Sequence, residues 1–143
     1  MTRVVVDASV SLKWALNDEE YVEQAVALRD AAIFERRFQM FAPSLWLYEI
    51  VNGLRVAVRR GRISIENGTT ALHCLLALKV QLVDPDPLDI YRIACRYDIA
   101  AYDAAYFALS QLLNAVLWTG DQRLYAVLQK HTHLVRWIGE FTA

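Results

Sequence analysis

Four carboxylates in this 143-residue chain stand where a carboxylate is expensive. Asp7 ends the valine run "RVVVD", and Glu49 lies inside "SLWLYEIVNGL". Asp103 sits in "YDAAYFAL", and Asp121 follows "AVLW" after a two-residue turn. Each has a plain explanation when taken alone. Asp7 and Asp121 can cap helices, Asp103 can answer a helix dipole, and Glu49 can face water. Together they describe a charge cluster. Two carboxylates about 4 Å apart repel by roughly 4 kcal/mol at an effective dielectric of 20. A whole domain is stable by only about 5–15 kcal/mol. Crowded acids therefore require raised pKa values or a cation. All-oxygen ligation suits Mg²⁺ or Mn²⁺ better than Zn²⁺, and such an ion activates water against a phosphodiester. The same crowding predicts that neutralising Asp7 stabilises the metal-free chain.

The elements that must position these acids alternate. Val4–Val6 reads as a buried parallel strand. A short helical turn capped by Ser9 follows, to Leu16, and then a helix from Glu19 to about Phe38, its start crowded by Asp18, Glu19, Glu20 and Glu23. "QMFAP" is a strand, and Pro43 opens a long helix that ends in arginines before Gly61. Ser64 caps a helix to about Leu78, "VQLVD" is a strand, and Asp86 with Pro87 starts another helix. A helix over Tyr102–Leu113, the strand "AVLW", the helix "QRLYAVLQK" and the strand "LVRW" complete the chain. The pattern predicts one α/β domain over residues 1–143, with a mostly parallel sheet of about five strands. Sites in such sheets gather at the carboxyl ends of strands, so Asp7 and Asp121 share a rim. Glu49 and Asp103 lie on apolar helices that pack on the sheet and can aim at that rim.

The segments "VVVDASVSLKW", "LYEIVNGL", "AYDAAYFALS" and "LWTGDQRLY" resemble the signature segments of the PIN domain. The similarity is greatest to the VapC-type toxin ribonucleases of toxin–antitoxin modules, and it spans nearly the whole chain. The resemblance implies a three-layer α/β/α sandwich and a Mg²⁺- or Mn²⁺-dependent endoribonuclease. Asp7, Glu49, Asp103 and Asp121 would be the metal-holding acids, with Thr119 a hydroxyl bonding within the site. Asn52 and Ser9 would support the acids. The implied partners are an RNA substrate, a small VapB-like antitoxin wrapped on an apolar groove, and a second copy of the chain. A stand-alone RNA-processing nuclease and a catalytically silent RNA- or partner-binding module are the competing functions.

The remaining features narrow the field. Net charge is −1, so no global basic field advertises nucleic acid, although a bound cation inverts the sign of an acidic site. Hydrophobic residues make up 56%, more than one small core can hide, which predicts an apolar surface for a partner. Asp7 interrupts the apolar start, and Ser110, Gln111 and Asn114 interrupt the longest uncharged run. Neither reads as a leader or a membrane span, and a cytoplasmic protein is expected. Cys74 and Cys95 read as buried free thiols. Arg55, Arg59, Arg60 and Arg62 read first as dipole-compensating surface arginines, with Arg55 and Arg59 as a possible phosphate stripe. Lys13 reads as exposed, and His131 and His133 as a surface loop without a third zinc ligand. The five glycines form no phosphate-binding loop.

Overall fold

Val4, Val5 and Val6 become the middle of a sheet because their branched side chains suit a strand buried on both faces. The computed structural model describes the whole chain, Met1–Ala143. Its elements are β1 (Thr2–Val6), α1 (Ala8–Ser11), α2 (Val22–Ile33), β2 (Phe38–Ala42), α3 (Leu45–Arg59) and α4 (Ile65–Ala77). They continue with β3 (Gln81–Leu82), α5 (Pro87–Tyr97), α6 (Ala101–Leu113), β4 (Val116–Thr119), α7 (Gln122–Leu128) and β5 (Val135–Trp137). Two 3₁₀ turns, Leu12–Trp14 and Ile138–Glu140, follow α1 and β5.

The sheet has five strands in the order β3-β2-β1-β4-β5, all pairings parallel. Chain order runs outward from β1 on one side and then restarts beside it at β4. The switch of direction therefore falls between β1 and β4, where Val6 pairs with Trp118. Side-chain alternation feeds two cores. Val5, Phe41 and Leu117 face the larger one, built with Trp46, Ile50, Phe107 and Leu109 from α3 and α6. Val4, Val6, Met40 and Trp118 face a thinner layer made by α2 and the C-terminal turn. The α/β/α sandwich is thus lopsided, with most helices on one side.

Several local expectations hold. Ser64 caps α4 by accepting from Asn67 N–H, and Asp86 caps α5 with Pro87 at its first position. Others are corrected. Asp7, not Ser9, caps α1. α2 begins only at Val22, after a left-handed Tyr21 (φ 59°), so the acids before it do not serve its dipole. Asp18 and Glu19 instead grip Arg62 at 2.6 and 2.8 Å, which removes Arg62 from the arginines at the end of α3. Both cysteines are free but exposed, because α4 buries mainly Gly68 and Leu75 and α5 mainly Ile93. The surplus of apolar residues lies outside, as the composition required: Phe34, Tyr48, Tyr91 and Tyr102 are all solvent-facing.

The turn after β1 is pinned to α3 in two ways. A Cβ on Gly53 would lie 2.4 Å from Leu12 Cδ1, so any larger residue there would have to displace the Leu12 side chain. The buried Trp46 indole N–H donates to Ser11 Oγ at 2.9 Å. Ser11→Ala strands that N–H in the core and is expected to cost about 1–3 kcal/mol in urea unfolding. A loss below about 0.5 kcal/mol would show that the bond does not hold α1 to α3.

Candidate active site

Asp7 is only 5% exposed, directly beyond a strand of buried valines. Hydrogen bonds make that burial tolerable. Its Oδ1 accepts from the Ser9 backbone N–H at 2.6 Å and from the Ser9 hydroxyl in a very short contact. Its Oδ2 accepts from Thr119 Oγ1 at 2.5 Å. Ser9 Oγ also accepts from Gly120 N–H at 2.8 Å, and Thr119 Oγ1 accepts from Asp121 N–H at 3.0 Å. One polar knot therefore ties the end of β1 to the turn after β4. Burial pushes the Asp7 carboxyl above its ordinary pKa, the Ser9 and Thr119 bonds pull it back, and the Asp121 charge adds to the rise.

Asp121 caps α7, accepting from Arg123 and Leu124 N–H at 3.0 and 3.2 Å. It stands on the same rim as Asp7, one strand across. Glu49 reaches this rim from the second turn of α3 and is half-buried. Its Oε1 accepts from the Tyr106 hydroxyl at 2.6 Å. Burial raises its pKa, the Tyr106 bond opposes this, and Asp7 and Asp103 raise it further. Asp103, in the first turn of α6, is half-buried too. Burial, then Asp121 and Asp7, raise its pKa, while Arg123 lowers it. The four acids thus form one electrostatic cluster, fed by four separate segments of the chain. Glu49 and Asp103 do not answer to helix dipole or water alone.

The cluster suits a hard divalent cation by charge and by its all-oxygen donors. It is not a preformed cage. No three acidic side chains converge on one point at ligand spacing, and both Asp7 oxygens point at protein donors. Holding an ion therefore requires the half-buried acids to turn inward. The rim opens to solvent, since Glu49, Asp103 and Asp121 are each only partly buried. An open acidic rim fits a polymer backbone better than an enclosed small molecule.

Other candidate residues separate. Thr119 and Ser9 join the site through the bonds above. Asn52, Arg55 and Arg59 are exposed on α3 and their side chains make no hydrogen bond or ion pair within the chain, so Asn52 does not brace Glu49. Tyr106 does, although the sequence reading assigned it no role. Its only signal was position: it stands one turn after Asp103 in an alanine-rich helix. Lys13 is corrected from exposed to buried, at 7% exposure. Its stem fills the space over Gly120, where a Cβ would lie 2.9 Å from Lys13 Cε, and its ammonium lies 3.9 Å from Glu19. His131 and His133 are exposed and join no metal-binding group.

The raised acids set the pH response of the metal-free protein. An acid with a raised folded pKa binds more protons folded than unfolded, so stability falls as pH rises from the ordinary carboxylate range through the raised values. Asp7 is a poor residue for testing this, since asparagine offers too few acceptors for its three donors. Asp103 accepts no hydrogen bond, so Asp103→Asn isolates charge. It is expected to stabilise the metal-free protein at pH 8 by up to about 1 kcal/mol after solvent screening, with the gain vanishing near pH 4. A gain equal at both pH values, or a loss at pH 8, would contradict the crowding. Thermal melts in chelator read both.

Comparison with known proteins agrees with this geometry. A family model described as "PIN domain" matches residues 4–129. A protein named VapC ribonuclease Mb0985, of Mycobacterium bovis, is 34% identical over 121 residues, covering 85% of this chain and 87% of the relative. The fold matches the crystal structure of PAE2754 from Pyrobaculum aerophilum with a TM-score of 0.71 at 23% identity, over 96% of this chain and 91% of that one. It also matches VapBC2 from Rickettsia felis, solved bound to a DNA fragment from its promoter, with a TM-score of 0.63 at 10% identity over 95% and 97%. The signature segments, the sheet with its acidic rim and the family model all agree: the chain belongs to the PIN domain family.

Proposed function

We infer that this chain is a metal-dependent ribonuclease of the VapC kind, the toxin of a toxin–antitoxin pair. One observation carries the reading. Four acids from separate segments crowd one open rim at the switch point of a parallel sheet, in a chain 34% identical to a VapC ribonuclease. Residues 1–143 act as one catalytic domain. No helix is long and apolar enough to cross a membrane, and the cytoplasm, where RNA lies, is the proposed location.

The proposed metal is Mg²⁺ or Mn²⁺, held by Asp7, Glu49, Asp103 and Asp121. When bound it supplies an activated water and a counter-charge for the phosphodiester. The chain's own groups do the positioning. Ser9 and Thr119 lock Asp7, so that carboxylate is the fixed point of the site. Asp103, free of hydrogen bonds, is the acid best able to turn toward the attacking water and take its proton. Arg55 and Arg59, exposed on α3 beyond Glu49 and free of ion pairs, are available to grip RNA phosphates.

Two surfaces support the partners. A cavity of about 460 Å³ between α2 and α4 is lined by Trp14, Ile33, Phe34, Ala71, Leu75 and Leu78, and it suits the apolar segment of a VapB-like antitoxin. Tyr48, Val51, Leu88 and Tyr91 leave apolar surface on α3 and α5 that a second copy would cover.

Single-stranded RNA should be cut only with Mg²⁺ or Mn²⁺, and Asp7→Asn should lower the rate at least about 100-fold. Cutting that survives chelator, or an equally active Asp7→Asn, would refute the metal-dependent reading. Ala71→Glu puts a charge into the groove. It is expected to weaken capture of the peptide encoded by the neighbouring reading frame about 10-fold or more while RNA cutting is unchanged. Equal capture would remove the groove as its seat.

A further inference from the structure

The Tyr106 hydroxyl is a polar group in an otherwise apolar part of α6. The side chain is 2% exposed, between Ala105 and Phe107, which are as deeply buried. A phenylalanine would fill the same ring space without a polar atom. A buried phenol needs a partner for its O–H, and it has a single proton to give. That proton goes to Glu49 Oε1 at 2.6 Å, the short distance of a hydrogen bond to a carboxylate. The phenol also lies near enough to Asp7 for that carboxylate, like Glu49, to oppose loss of the phenol proton. Asp103 lies one turn back on the same helix. A single hydroxyl therefore joins the Glu49 side chain to the helix of Asp103.

We propose that Tyr106 is a positioning residue for the nuclease reaction, holding Glu49 by one oxygen so that its other oxygen faces a divalent metal. This rests on the reading of the rim as a metal-dependent ribonuclease site. Glu49 Oε2 makes no hydrogen bond within the chain, so it is the oxygen left for an ion. Glu49 has three side-chain torsions, and without Tyr106 nothing in the chain fixes them. Tyr106 thus does for Glu49 what Ser9 and Thr119 do for Asp7. It is the outer partner of a ligating carboxylate, whose removal typically weakens metal binding about 10–100-fold.

Calorimetric titration of the full chain with Mn²⁺ alone, without RNA, tests the proposal. Tyr106→Phe is expected to weaken Mn²⁺ binding about 10-fold, and its RNA cleavage should recover at saturating Mn²⁺ with KM for RNA unchanged. In a Glu49→Gln background the same change should have no further effect, within about twofold. Unchanged affinity in Tyr106→Phe overturns the proposal. So does an equal loss in the Glu49→Gln background, because that is what a general loosening of α6 would give. Should Tyr106→Phe fail to fold, wild-type chain carrying ¹³C at tyrosine Cζ decides. The Tyr106 signal should move along the Mg²⁺ saturation curve, and a fixed signal overturns the proposal. A wild type that binds no Mn²⁺ refutes the nuclease reading itself, a result distinct from both failures.

Discussion

A carboxylate held under cover at the end of β1 is the constraint on which the rest of the molecule depends. Asp7 follows three buried valines, and the sheet gives it no route to water. Ser9 and Thr119 supply the donors, one from the helical turn just after β1 and one from the end of β4, the two strands that meet at the switch point of the sheet. The pairing of Val6 with Trp118 brings those donors to one place. Had β4 joined the outer edge instead, Thr119 and Asp121 would lie strands away from Asp7. The order β3-β2-β1-β4-β5 is thus a condition of the chemistry, not only of the packing.

Around that fixed acid the others are held less firmly, and in graded fashion. Asp121 is restrained by its cap, Glu49 by a single phenol, and Asp103 by no hydrogen bond at all. Asp7, Glu49 and Asp103 owe their raised pKa values first to burial and then to the charge of neighbouring acids in the cluster, apart from the groups that oppose it. The site is therefore electrostatically unfavourable at neutral pH without a counter-ion. That penalty falls on a domain whose thicker layer packs α3 and α6 against the sheet, the two helices that carry Glu49 and Asp103. Packing strength and charge strain share the same elements.

Much of this was legible in the sequence, for a physical reason. An acid beside a valine run or inside an apolar helix departs from the local pattern, so Asp7, Glu49, Asp103 and Asp121 stood out by residue type alone. Alternation of strands and helices gave the parallel sheet, and caps such as Asp86 and Ser64 acted on their own neighbours. What was not legible depends on distant contacts. The Tyr106–Glu49 bond spans 57 positions and leaves no local mark. Lys13 looked like any surface lysine until Gly120 closed over its stem. Cys74 and Cys95 sit in apolar stretches, but which face of an outer helix meets the core is decided by tertiary packing, and theirs does not.

The segment from Asp7 to Trp14 connects these observations. At one end lies the buried carboxylate, and at the other Trp14, whose indole donates to Ala25 of α2 and whose ring lines the apolar groove. Between them Ser11 holds Trp46, Leu12 packs on Gly53, and Lys13 lies against Gly120. At about 1.5–2 Å of rise per residue, these helical turns carry the chain only about 12 Å from site to groove. An extended peptide covers that span in about four residues. A partner seated in the groove by apolar contact can therefore reach the acidic rim with a short tail, and a cation on that tail would meet the charge that otherwise calls for a metal. Proximity of groove and rim follows from how tightly the chain turns after β1.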